Sequence, residues 1–135
     1  YKFEIGKGEI VKDGTDIAII ANGLMVYEAM TAAETLKEAG IDAMVINMAT
    51  IKPLDSEAVL KAAKETGAIV TAEEHSVIGG LGSAVSEYLA EEYPVPVVKL
   101  GVYDRFGESG PAAALVEKYG LDAQGVYNKT KEFLK

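Results

Sequence analysis

The sequence predicts an α/β domain: three layers, with a mostly parallel twisted sheet of about five strands and helices on both faces. Three observations carry this. Short apolar runs recur along the chain, amphipathic helical segments separate them, and the runs begin at positions 16, 42, 68 and 97. That spacing suits strand–helix–strand crossovers, which are right-handed and leave both faces of a parallel sheet covered.

The strands are read first. Asp16-Ile17-Ala18-Ile19-Ile20-Ala21 is nearly all apolar, as a strand buried on both faces should be. Asp42-Ala43-Met44-Val45-Ile46-Asn47, Ala68-Ile69-Val70-Thr71-Ala72 and Val97-Val98-Lys99-Leu100-Gly101 repeat the pattern. Lys7 to Gly14, ahead of them, reads as a short edge strand with a turn.

Helices fill the intervals. Val26, Ala29, Met30, Ala33 and Leu36 fall at i, i+3, i+4 spacing, and Gly40 ends the run because glycine accepts a left-handed cap. A second helix opens at Asp55 or Ser56 and stops at Gly67. The third spans about Gly80 to Glu92, until Tyr93-Pro94-Val95-Pro96 forces the chain into extended form. Pro111 suits a first helical turn, and Asp122 is expected to cap a last helix ending near Lys135.

Composition removes several classes of function. At 135 residues and 49% apolar content, the chain is one domain, 1–135, with a single core. Its formal charge of −8 argues against nucleic acid and anionic membrane as partners. Zero cysteines exclude disulfides, thiolate metal sites and a cysteine nucleophile, and suit a cytoplasmic setting. No run is long and apolar enough for a spanning helix. The start at Tyr1, without an initiator Met, leads us to expect a piece cut from a longer polypeptide.

Chemistry in an open parallel sheet collects past the carboxyl ends of the strands. The richest such stretch is Glu73-Glu74-His75, followed by Gly79-Gly80-Leu81-Gly82-Ser83. A carboxylate beside the single histidine could run acid–base chemistry, and the glycines before a helix could offer N–H groups to an anion. The preferred reading is plainer. Glu74 and His75 tie the segment to backbone or to a partner subunit, and Gly79, Gly80 and Gly82 allow close packing. Gly-Gly-x-Gly is not the dinucleotide fingerprint, and adjacent acids repel phosphate. Arg105, the lone arginine, could grip a carboxylate or phosphate, but an internal pair with Asp104, Glu108 or the Glu73-Glu74 corner is favoured. Asp13, Asp16, Asp42 and Asp55 lie at strand starts or caps, so no metal site is expected.

Four stretches together carry a family resemblance. They are Phe3-Glu4-Ile5-Gly6-Lys7-Gly8, Ile51-Lys52-Pro53-Leu54-Asp55, Glu73-Glu74-His75 with Gly79-Gly80-Leu81-Gly82-Ser83, and Asp104-Arg105-Phe106-Gly107-Glu108-Ser109-Gly110. In order and spacing the chain resembles the C-terminal domain of transketolases, especially the form split over two subunits. The domains of 1-deoxyxylulose-5-phosphate synthases and of 2-oxo-acid dehydrogenase β subunits are related. The synthases typically carry Pro-Asp-x-Phe and His-Gly where this chain has Tyr103-Asp104-Arg105-Phe106 and Ser109-Gly110.

The resemblance implies a parent enzyme that moves a two-carbon ketol unit between sugar phosphates, as in the pentose phosphate pathway. It also implies thiamine diphosphate and Mg²⁺ at a homodimer interface, and a third domain that supports the dimer. The family's Gly-Asp-Gly and Asn-Asn cofactor motifs are missing from this chain. No catalytic, cofactor-binding or metal residue is therefore carried over. Glu74, His75, Gly79, Gly80, Gly82 and Arg105 are held only as anion-binding or interface positions.

Overall fold

The computed structural model describes residues 6–49, 51, 53–76, 80–102 and 123–134, the side chains of 74–76 and 102 excepted. In chain order the elements are β1 (Glu9–Lys12), β2 (Ile17–Ala21), α1 (Met25–Glu38), β3 (Ala43–Asn47), α2 (Ser56–Thr66), β4 (Ile69–Ser76), α3 (Leu81–Glu92), β5 (Val97–Val102) and α4 (Ala123–Phe133). The five strands form one sheet in the order β1-β3-β2-β4-β5. Three of the pairings are parallel, while β1 runs antiparallel to β3 with a register shift between Ile10 and Lys12. The expected mixed α/β sheet is present, and the edge strand is its one antiparallel member.

Alternation along the strands splits the core into two slabs. Ile17, Ile19, Ala21, Val45, Val70 and Ala72 face α1 and α4, while Ala18, Ile20, Met44, Ile46 and Ile69 face α2 and α3. Each fully buried large aliphatic contributes about 1.5–3 kcal/mol relative to exposure, so the two slabs hold the sheet from both sides.

Helix ends follow local chemistry. After α1, the Ile41 amide donates to the Leu36 carbonyl and the Gly40 amide to that of Lys37. Gly40, at φ +82°, supplies the left-handed residue that this double closure needs. Asp55 caps α2 by accepting from the Ala58 amide at 3.2 Å, and Gly67 closes that helix at φ +77°. Of the two N-cap residues expected there, Asp55 is the one used.

Strand starts are locked by side chains. The Asp42 amide donates to Asp16 Oδ2 at 2.6 Å, and the Asp16 amide donates to the Asp42 carbonyl at 2.8 Å. Gly14 is buried beside them, where a Cβ would overlap the backbone of Ala43 and Met44. Only glycine fits this crossing of two backbones.

The sheet order creates a switch point. From β2 the chain goes to β3 on one side through α1, then returns to β4 on the other side through α2. The crevice past the carboxyl ends of β2 and β4 is where α/β proteins commonly hold ligands.

Candidate functional site: the β4 end and the α3 start

β4 runs to Ser76, so Glu73, Glu74 and His75 belong to the strand itself. The sequence reading ended that strand at Ala72 and placed these residues in a corner beyond it. The strand is longer because it keeps pairing with β5 after an irregularity, with Ser76 opposite Val102.

Two-residue alternation puts Ile69, Thr71 and Glu73 on the face covered by α3. Glu73 is wholly buried. Its Oε1 accepts from the Leu81 amide at 2.9 Å and its Oε2 from the Gly82 amide at 2.8 Å. Both donors belong to the first turn of α3, where N–H groups lack partners within the helix and the backbone dipoles favour negative charge. Gly80 occupies the N-cap position with φ −96° and offers no side-chain acceptor. Glu73 therefore does from the sheet what a serine or aspartate cap does locally.

Gly82 lets the helix come that close. A Cβ there would lie 2.8 Å from Thr71 Oγ1 and 2.8 Å from Lys99 Cγ. Thr71 is fully buried, and its hydroxyl has no hydrogen-bond partner among the described residues.

A second long-range carboxylate stands on the opposite face. Glu28 Oε2, in the first turn of α1, accepts from the Ala123 amide at 2.7 Å, at the start of α4. Asp122, the expected cap, lies outside the described residues. Around the switch point, Asn22 and Gly23 end β2, with Gly23 at φ +59°. Leu24, the N-cap residue of α1, and Tyr27 in its first turn are 66% and 73% exposed.

Of the positions singled out from sequence, Gly80 and Gly82 stand at this helix start. Glu74 and His75 are in β4, their side chains outside the described residues, as are Gly79 and Arg105 entirely. The sequence reading weighted Glu74 and His75 and passed over Glu73. The signal was present: a glutamate in phase with Ile69 and Thr71, eight residues ahead of a helix whose start has no capping side chain.

Chemically, a buried carboxylate with both oxygens on backbone amides is arranged to hold a helix, not to meet a substrate. Among the described residues no group of three or more His, Cys, Asp or Glu could hold a metal ion. The start of α3 offers no free cradle for a diphosphate, since its Leu81 and Gly82 amides already bind Glu73. Among the described residues, no helix is long and apolar enough to cross a membrane. The Asp42 carboxylate lies at the other end of the strands. Partial desolvation pushes its pKa up, but hydrogen bonds from Lys12 and Thr15 and the Lys12 charge outweigh this and leave it lowered.

These features define a doubly wound α/β domain with one antiparallel edge, its switch-point helix tied down by its own carboxylate. Residues 6–126 match the family described as transketolase, C-terminal domain, and the chain belongs to that family. It is 50% identical over 131 residues to the 6-deoxy-6-sulfo-D-fructose transketolase subunit SqwH of Clostridium sp. (strain MSTE9), covering 97% of this chain and 41% of that protein. It is 52% identical over 132 residues to 1-deoxy-D-xylulose-5-phosphate synthase 1 of Geobacter sulfurreducens, covering 96% of this chain and 21% of that protein. A solved split-gene transketolase, described as an inactive β4 tetramer, superposes with a TM-score of 0.93 at 54% identity, covering 99% of this chain and 44% of its own. The chain thus spans about two fifths of the transketolase subunits it matches, and about a fifth of the synthase.

Proposed function

We propose that this chain is the supporting C-terminal domain of a split, thiamine-diphosphate-dependent transketolase, which moves a two-carbon ketol unit between sugar phosphates. The observation that carries the reading is the match of nearly the whole chain to transketolase subunits more than twice its length. In this reading thiamine diphosphate and Mg²⁺ bind on the remaining polypeptide. The domain contributes a stable platform and subunit contacts, including a homodimer, within a cytoplasmic enzyme of pentose phosphate type. Glu74, His75, Gly79 and Arg105 are assigned to those contacts, and Gly80 and Gly82 to close packing of α3.

Calorimetry tests the division of labour. Thiamine diphosphate with Mg²⁺ should give no saturable heat with the 135-residue chain, and ketol transfer should require the rest of the enzyme. Saturable binding to the chain alone would overturn the reading.

The identity to the Geobacter protein favours a second parent, a 1-deoxy-D-xylulose-5-phosphate synthase. The complete enzyme decides between them by its product, either 1-deoxy-D-xylulose 5-phosphate or transferred ketol sugars.

A further inference from the structure

Two pairs in the sequence set an aspartyl or asparaginyl side chain directly ahead of a glycine, Asp13-Gly14 and Asn22-Gly23. The fold treats them oppositely. Gly14 is buried, and a Cβ there would overlap the main chain of Ala43 and Met44. Gly23 is exposed, and a Cβ there would meet nothing within 4 Å. Neither the Gly23 amide nor the Asn22 side chain has a hydrogen-bond partner among the described residues. The turn is held by the Met25 amide on the Asn22 carbonyl and the Val26 amide on the Gly23 carbonyl. Each bond is 3.2 Å, at the long limit for its type. Nothing shields the Gly23 nitrogen, since glycine has no Cβ.

We propose that Asn22-Gly23 is a site of spontaneous covalent modification, at which the Gly23 nitrogen attacks Asn22 Cγ and ammonia leaves. The N–Cγ bond forms as the Cγ–Nδ2 bond breaks, and the proton lost from the Gly23 amide departs with Nδ2. Water then opens the cyclic imide. Attack at Cγ gives aspartate, and attack at the former main-chain carbonyl gives isoaspartate. One water is consumed, one ammonia is released, and nothing is oxidised or reduced. Ring closure needs only a brief opening of the exposed turn before α1, the kind of local fluctuation that costs far less than unfolding. The product places a negative charge two residues ahead of Leu24, the N-cap of α1, where no side chain caps the helix. The helix dipole favours that charge. The isoaspartyl form also lengthens the main chain between β2 and α1 by one methylene. The other asparagines lack this setting: Asn47 is followed by Met48, whose amide is bonded to the Ala21 carbonyl at 2.8 Å, and Asn128 lies within α4. The chemistry does not depend on which reaction the parent enzyme catalyses.

The test is peptide mapping by mass spectrometry after the folded full-length subunit has aged in warm neutral buffer. Asn22 should lose its amide and yield both isoaspartyl and aspartyl peptides, while Asn47 and Asn128 stay intact. Asn22→Gln, one methylene longer, should keep its amide over the same period. The isoaspartyl peptide is decisive, because direct hydrolysis of the side chain gives aspartate alone. Aspartate without isoaspartate, or loss at Asn22 no faster than at Asn47 and Asn128, would overturn the proposal. So would an intact Asn22 in the folded subunit after the denatured chain has converted, since the turn would then be closed to attack.

Discussion

Asp55 Oδ2 accepts a hydrogen bond from the Gly8 amide at 2.8 Å, across 47 positions of sequence. The other oxygen of the same carboxylate caps α2. One largely buried side chain therefore starts a helix and pins the segment that leads into β1. Gly6 packs beside this clamp, where a Cβ would lie 3.1 Å from Pro53 Cγ.

Asp55→Ala should thus cost more than an ordinary cap. Loss of an N-cap costs about 0.5–2 kcal/mol, and loss of the charged acceptor leaves the Gly8 amide half-buried without a partner. We expect about 2–3 kcal/mol by denaturant unfolding. Asp55→Asn should recover part of it, and exchange at the Gly8 amide should quicken in the alanine variant.

Gly82→Ala should destabilise by about 1–3 kcal/mol through overpacking. The Lys99 stem can yield, but Thr71 lies in the core between β2 and β5. Thr71→Ala in the same chain should return part of the loss, a non-additivity readable in a double-mutant cycle. Thr71→Val alone should be neutral or stabilising, because it removes a buried hydroxyl that lacks a partner among the described residues.

Gly14→Ala should be harsher, on the order of 3 kcal/mol or more, because the added carbon meets the main chain of Ala43 and Met44, which has no rotamer to yield. Thermal melting checks this. A fall no larger than that of Gly82→Ala would contradict it.

Glu28→Ala should loosen the start of α4 from α1, at a cost of about 0.5–2 kcal/mol. Because its acceptor serves the amide of Ala123, 95 positions away, hydrogen exchange should rise in the first turn of α4 and leave α2 and α3 unaffected.

Acid should remove the contribution of Asp42. Its folded pKa lies below the ordinary value, so the unfolded chain takes up protons first as the pH falls. The stabilisation is complete above the unfolded value of about 3.9 and is lost as pH drops through the lower folded value. Asp42 is 52% exposed in its ion pair with Lys12, so salt should shrink the effect. Asp42→Asn should flatten the acid limb of the stability curve between roughly pH 5 and 2 and leave its neutral plateau nearly level.

The elements were legible because their signals are local. An apolar run such as Ile17-Ala18-Ile19-Ile20 states that both its faces are covered, and Gly40 and Gly67 mark the left-handed ends of α1 and α2. The candidate site was only half legible. Gly80 and Gly82 were read as lying at a helix start, with close packing preferred over an anion site, and the carboxylate that the Gly82 amide meets, Glu73, was not singled out. The buried phase of Glu73 was legible, but its partner amides lie eight and nine residues away, and phase alone does not name them.

By itself the sequence determined the α/β class, the helix stops and the family, since hydrophobic period, glycine conformations and motif order are properties of neighbours along the chain. Only the tertiary structure decided that β1 pairs antiparallel with β3, that β4 continues to Ser76, and that Glu73, Asp55 and Glu28 each serve backbone amides outside their own element. The physical reason is that an unpaired backbone amide, at a helix start or ahead of a strand, donates to whichever carboxylate comes within reach, and packing of the sheet and helices sets which one that is.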